Sequence, residues 1–438
     1  MKNLQIFLLE WKHFIRSPFK IIALALFIIA GMYGLHQGAN LYQKQIAEIE
    51  TIRNAAQEQR QEIIDDHYRT GVIVPEDTPW VDYSSPFWGA YMSNAYHFKA
   101  PSPAMIYSIG QAEQYGFYKK ITFFASPYDA DMAEEIANPE RLQIGTLDFS
   151  FVLLFLSPLV LLVLLYNLKS METEKGIIPL IEVQMPAKNT WLFLRMLFYV
   201  SLLLIAILIL LTYGAGLAPV FDSADHSFAQ TAIYAALYVA FWSAIYFLIL
   251  RNGKSILGNT LQMSAAYLLF AFIIPAAVHQ SLSIRQPANL MTGFIDVRDQ
   301  LNDLRDGPDS LYAARLIDLY PEVVNTPVYQ DSFKLALAMN YSGSMIMNDF
   351  NKASIQPIEA ENEAKNDFIE STFWFNPVSF FQNRLNAIAQ THYDDYQAYR
   401  SAIQSSIDQQ IQMMVKDLWN EVQVDEEKYL EYATGIGK

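Results

Sequence analysis

Residues 149–168 read FSFVLLFLSPLVLLVLLYNL, twenty positions without one charged side chain. A helix needs about 20 predominantly apolar residues to cross a hydrocarbon core roughly 30 Å thick. The stretch therefore predicts a membrane span. Outward from it, four further uncharged runs follow: Ile21 to Gln43, Met196 to Phe221, Ser227 to Leu250 and Ser255 to Ile284. They concentrate a deficit of charge in the whole chain. Of its 438 residues 52% are hydrophobic and 17% charged, against about 25% charged in soluble domains. The reading is an α-helical polytopic membrane protein with spans at 21–40, 146–168, 192–217, 228–250 and 257–280. A single soluble globule and a disordered chain are excluded. With no cysteine, disulfides, iron–sulfur clusters and Cys-ligated zinc are excluded as well.

The first run is read as a retained span. No small-residue cleavage site follows Leu35, and a helical pattern continues. Residues 1–20 form an amphipathic lead-in: Leu4, Phe7, Leu8, Trp11, Phe14 and Ile15 recur at helical spacing until Pro18. Trp11, Lys12 and Arg16 are its interfacial anchors. Basic residues decide the threading. Lys2, Lys12, Arg16 and Lys20 precede the first span, Lys169, Lys175, Lys188 and Arg195 lie between the second and third, and Arg251 and Lys254 between the fourth and fifth. The amino terminus is then cytoplasmic. The outer loop at 218–227 carries Asp222 and Asp225 and no basic residue, and the inner loop occupies 251–256.

Two regions fall outside, 41–145 and 281–438, and both are acidic. Residues 36–145 hold 8 basic and 15 acidic side chains, and residues 280–438 hold 12 and 23. The balance argues against a nucleic-acid partner. Tyr42 to Ile64 continues helically, with Ile49, Ala56 and Ile63 seven residues apart, either as a coiled-coil stalk or packed on its own domain. Residues 72–128 are dense in proline and aromatics, the pattern of a small domain core or a binding surface. In the last block Ile403, Ile407, Ile411, Met414 and Leu418 mark an apolar helical stripe. Asp296, Asp299, Asp303 and Asp306 read as a solvated acidic face.

Catalytic signatures are missing. Gly253-Lys254-Ser255 lacks the upstream glycine of a P-loop, since position 248 is leucine. The seven histidines form no H-E-x-x-H pair. No ionisable group sits in the middle of a span, which argues against an ion-coupled carrier. The chain is expected to be no enzyme, with no cofactor or metal of its own.

The connection 169–191 reads KSMETEKGIIPLIEVQMPAKNTW. A short stiff element flanked by charges at a membrane face transmits a partner's motion to two spans at once. Its Glu172, Glu174, Lys175 and Gly176 resemble the E-x-E-(R/K)-G signature after the second span in permease subunits of type-2 ABC exporters. Ile177 and Ile178 stand where that superfamily usually has Thr-Leu. Upstream, Asn138-Pro139, Gly145, Asp148-Phe149, Phe151-Val152, Leu156-Ser157-Pro158-Leu159 and Tyr166-Asn167 look like a bacterial subfamily of unknown function with large extracytoplasmic domains. Asn376-Pro377 and the run Tyr393 to Arg400 are similar to its later part. That subfamily has six spans, where five are visible here.

The resemblance implies a permease in the bacterial inner membrane, paired with a second copy or a paralogue. Separate ABC ATPase subunits, carrying ATP and magnesium, would dock on the coupling region at 169–191. Glu172, Glu174, Lys175, Gly176 and Pro186 are the expected docking residues. A mechanical relay acting on a periplasmic or surface partner, and an anchored structural protein without an ATPase, are the competing expectations.

Overall fold

The computed structural model describes residues 2–124, 126–127, 147–184, 189–222, 226–253, 255–285, 299–300, 302–304 and 309–434. Helix α1 (Lys2–Ile15) ends before Pro18, whose ring opens α2 (Pro18–Ile63) at a position where its missing N–H costs nothing. Helix α2 crosses the bundle and runs on, then widens into a π turn, Ile64–Tyr68. After α3 (Pro86–Tyr91), strands β1 (Tyr96–Phe98) and β2 (Tyr118–Lys120) pair antiparallel with His97 opposite Lys119. The remaining spans are α4 (residues 149–165), α7 (Thr190–Ala215), α8 (Ser227–Asn252) and α9 (residues 256–285). Between α4 and α7 lie α5 (Ser170–Glu174) and α6 (Ile178–Gln184). The chain continues through α10 (Asp309–Leu319), α11 (Ser332–Tyr341), α12 (Gly343–Ser371), α13 (Pro377–Ile388), α14 (Tyr393–Trp419) and α15 (Glu426–Thr434).

Among the described residues five helices are long and apolar enough to cross a membrane, those containing Pro18, Phe149, Thr190, Ser227 and Ile256 at their starts. The architecture is that of an α-helical multi-pass membrane protein. Its lipid-free core gathers Leu35, Phe149, Leu161, Leu203, Tyr238, Trp242 and Tyr246. Small residues let α2 approach. A Cβ at Gly34 would stand 2.6 Å from the Asp148 carbonyl carbon, and one at Gly38 would stand 2.6 Å from the Ile106 carbonyl oxygen.

Two spans carry π turns, Val152–Leu156 in α4 and Leu269–Ile273 in α9. They adjoin, with the Phe155 and Phe272 rings 5.7 Å apart. Pro158 has no N–H, so the Leu154 carbonyl loses the donor that an α-helix would supply. The Tyr238 hydroxyl donates to it instead at 2.5 Å. Tyr267 and Tyr246 donate to the carbonyls of Phe155 and Pro158 at 3.1 and 3.2 Å. Without water in the hydrocarbon, such side-chain donors are the way to satisfy freed backbone groups.

Described residues of the regions 41–145 and 281–438, read from sequence as two domains, share one core and form a head. Ile64, Phe87, Ala95 and Phe123 from the first share a core with Val323, Ile346, Met414, Trp419 and Tyr432 from the second. The cause is the apolar stripe of α14: Ile403, Ile407, Ile411 and Met414 are all buried, and α3 packs against it. Gln410 Nε2 donates to the Ala90 carbonyl across that contact. Helix α2 packs on this head, with Ile49 and Ala56 buried, rather than rising as a free stalk. Two pieces of the head also enter the bundle core, residues 104–112 and α13 through Val378, Phe381 and Leu385.

Candidate coupling site at the basic end of the bundle

The segment singled out by its charges sits where the helix ends opposite the head converge. Lys169, with φ of +63°, and Gly176, with φ of +70°, bracket α5. Left-handed backbone is strained for lysine and free for glycine. Turn residues 166–169 separate α5 from the span before it.

Each acidic residue of α5 has a partner on a different side. Glu172 Oε1 accepts from Arg195 Nη1 at 2.6 Å. The same guanidinium donates through Nε to Glu10 Oε1, and Tyr199 donates to Glu10 Oε2 at 3.0 Å. Lys20 lies 4.1 Å from the centre of the Tyr199 ring and donates to the Leu164 carbonyl at 2.7 Å. Glu10, Glu172, Arg195 and Lys20 thus gather in one buried cluster, with Glu10 wholly enclosed and Arg195 nearly so. Burial of charge is tolerable only in such paired, hydrogen-bonded form. It joins α1, α2, α5 and α7.

On the other side α5 is fastened to the junction of α8 and α9. Glu174 Oε1 accepts from the Ile256 N–H at 2.9 Å, placing a negative charge at the start of α9. Lys169 Nζ donates to the Arg251 carbonyl, and Asn259 Nδ2 donates to Ser170 Oγ. Ser255, part of the rejected P-loop string, caps α9 by accepting from the Gly258 N–H.

The remaining expected residues differ in placement. Lys175 is exposed, and a Cβ on Gly176 would meet nothing within 4 Å. Pro186 lies outside the described residues. Helix α6 presents Leu180 and Val183 to the surroundings at 62% and 81% exposure. Of the anchors, Lys12 and Arg16 are exposed. Trp11 is half-exposed and meets Phe198 edge to face at 6.4 Å.

The structure turns Glu10 of the lead-in inward, a placement the helical spacing did not single out. The available signal was Arg195, a fixed charge six residues inside a helix otherwise uncharged through Ala215, which calls for a counter-ion. Lys20 and Tyr199 were missed likewise. So was a group in the head, where Glu370, His392 and Asp394 bring ligand-type atoms within 4.8 Å of one another. His392 Nδ1 there accepts from the Asp394 N–H, which caps α14. No protein-family model, curated protein or solved structure matches the chain.

Proposed function

We propose that the chain is the membrane-spanning subunit of an ATP-driven exporter, with separate ATPase subunits docking from the cytoplasm onto residues 169–191 and the head lying outside. The basic residues at the α1 end support that orientation by the positive-inside rule. The observation that carries the reading is the two-sided fastening of α5. Its ties to α1 and α7 through Glu172, and to α9 through Glu174, turn a five-residue helix into a rigid joint among span ends. Helix α6, next along the chain, exposes Leu180 and Val183, an apolar surface of the kind a partner protein covers. A push on α6 would reach two spans, α7 and α9, through α5.

Because the chain is free of cysteine, Val183→Cys gives a single reactive thiol. In membranes containing the cognate ATPase, its labelling should fall when the ATPase is present and change on ATP binding. Glu174→Gln combined with Gly176→Ala should weaken co-purification of the ATPase. Labelling of Val183→Cys indifferent to both ATPase and nucleotide would remove the docking assignment.

A mechanical relay to an outside partner is favoured by a separate observation. Helix α2 runs unbroken from the basic end into the head core, so movement of the first span need not be transmitted through a loop. Reconstituted flux separates the readings: export requires cargo movement across the bilayer, whereas a relay moves only the head.

A further inference from the structure

We infer that the corner between α12 and α13, centred on Trp374, inserts into the head-side leaflet of the bilayer, so that the head rests on lipid as well as on the spans. The inference requires only that the five helices span a membrane, and stands apart from the exporter reading.

Two aromatic side chains of the head are nearly fully exposed, Phe333 at 90% and Trp374 at 86%. Their surroundings differ. Phe333 opens α11, whose buried Ala338 belongs to the head core. Trp374 stands in Thr372-Phe373-Trp374-Phe375-Asn376, directly before α13, and α13 belongs to the bundle core. The Phe381 ring lies 5.0 Å from Tyr238 and 6.4 Å from Tyr234. Those tyrosines are 14 and 18 residues from Asn252, where α8 ends, which is about 21 and 27 Å along the helix at ~1.5 Å per residue. If the hydrocarbon begins near Arg251, a layer of roughly 30 Å ends just beyond Tyr234. Phe381, in the second turn of α13, therefore lies at the outer part of the hydrocarbon, and we place the corner before α13 at headgroup level.

The corner has the composition that this level favours. The Phe373 ring meets Phe380 edge to face at 5.7 Å, and Trp374 meets Phe375 at 4.8 Å. Arg384 is exposed, lies over the Phe380 ring at 5.6 Å, and makes no ion pair among the described residues. Amphipathic rings settle at membrane interfaces, and an arginine beside them offers a cation to lipid phosphate. The surface is continuous with lipid-facing span. Helix α13 touches the π turn of α9, where Leu269, Phe272 and Ile273 are exposed at 42%, 49% and 57%. A water-facing loop carrying Trp374 at 86% exposure beside that surface would be costly; in the headgroup layer it is favourable. Glu370 is close by and exposed, so the attachment depends on apolar insertion and not on anionic lipid.

The test uses the full chain in nanodiscs of phosphatidylcholine, with single nitroxide labels on Trp374→Cys and Phe333→Cys. Label 374 is expected to be severalfold more accessible to oxygen, relative to a water-soluble nickel complex, than label 333, and to remain so when a third of the lipid is phosphatidylglycerol. Equal nickel accessibility at both sites overturns the inference. Shielding of label 374 from both reagents also overturns it, since that marks a protein partner on the corner. A lipid-like profile at both labels removes the selective placement and overturns it too. Both substituted positions are almost fully exposed, so neither variant threatens folding, and native elution of each variant on size exclusion checks this.

Discussion

Glu10 and Glu172, from the first helix and from the connection after the second span, are held by one guanidinium, that of Arg195. The two acids share that one guanidinium, which couples α1 to α5. The lead-in helix is in this way tied to both α5 and α7.

That arrangement predicts non-additive losses. Removing one member of a buried ion pair costs about 3–5 kcal/mol, because a charge is left unpaired. Glu10→Gln and Glu172→Gln should each lower the thermal stability of the detergent-solubilised protein, and the double variant should lose more than the sum, because either acid alone still pairs with Arg195 and only the double variant leaves its guanidinium without a counter-ion. Arg195→Ala should be at least as costly as either. Losses that add within ~0.5 kcal/mol, as for independent sites, would contradict the shared cluster.

Asp148 supplies a second test. Its Oδ1 accepts from the Phe151 N–H at 2.7 Å, capping the second span, and its Oδ2 accepts from the Ile109 N–H at 2.9 Å. One carboxylate thereby fastens the head to a span. Asparagine keeps the cap but has a single acceptor oxygen. Asp148→Asn should therefore leave the Ile109 amide open to hydrogen exchange at a cost of about 1–3 kcal/mol, the usual value for an orphaned buried donor. Asp148→Ala should cost more by the loss of a cap, ~1 kcal/mol. An unchanged Ile109 exchange rate in the asparagine variant would deny Asp148 the fastening role.

Two glycines should respond for opposite reasons. Gly38→Ala places a Cβ 2.6 Å from the Ile106 carbonyl oxygen, a backbone atom that cannot swing away, so overpacking of about 1–3 kcal/mol is expected. Gly71 has φ of +76° and open space around it, so Gly71→Ala should cost only the left-handed strain, roughly 1–2 kcal/mol. Melting curves of both variants decide this. A larger loss for Gly71→Ala would mean that α2 tolerates displacement from residues 103–106.

Acid should loosen the head through His97. Burial lowers the pKa of its imidazole below the ordinary 6.5, and its Nδ1 lies 3.3 Å from Ser406 Oγ. A group depressed in the folded state contributes stability that is complete above the unfolded pKa and is lost as pH falls through the folded one. The protein should be stable above pH 6.5 and weaken below it. His97→Gln should flatten that part of the profile. An identical acid profile in wild type and variant would assign the loss elsewhere.

The five spans were legible because a hydrocarbon layer imposes a length and forbids charge, and both are one-dimensional properties. The helix from Tyr42 to Ile64 and the stripe from Ile403 to Leu418 were legible for the same reason, as local periodicity. What periodicity cannot state is which partner a face meets. Hydropathy ranks Glu10 with Lys12 and Arg16, and its inward direction is set by Arg195, 185 positions away. The shared head core was hidden likewise: Phe87 and Tyr341 stack at 4.2 Å, yet nothing near either residue in the chain announces the other. Of the connection, the charge pattern was plain while the division of labour within it was not. Glu172 faces inward, Glu174 caps a span, and Lys175 stays exposed.

The unbroken course of α2 has a geometric consequence. From Gly38, where it crosses Ile106, the helix extends another 25 residues to Ile63, about 38 Å at ~1.5 Å per residue. With that crossing as pivot, the rod is a lever arm. Each 5° of tilt in the first span swings its far tip by roughly 3 Å, so small rearrangements at the charged end arrive in the head as displacements the size of a side chain.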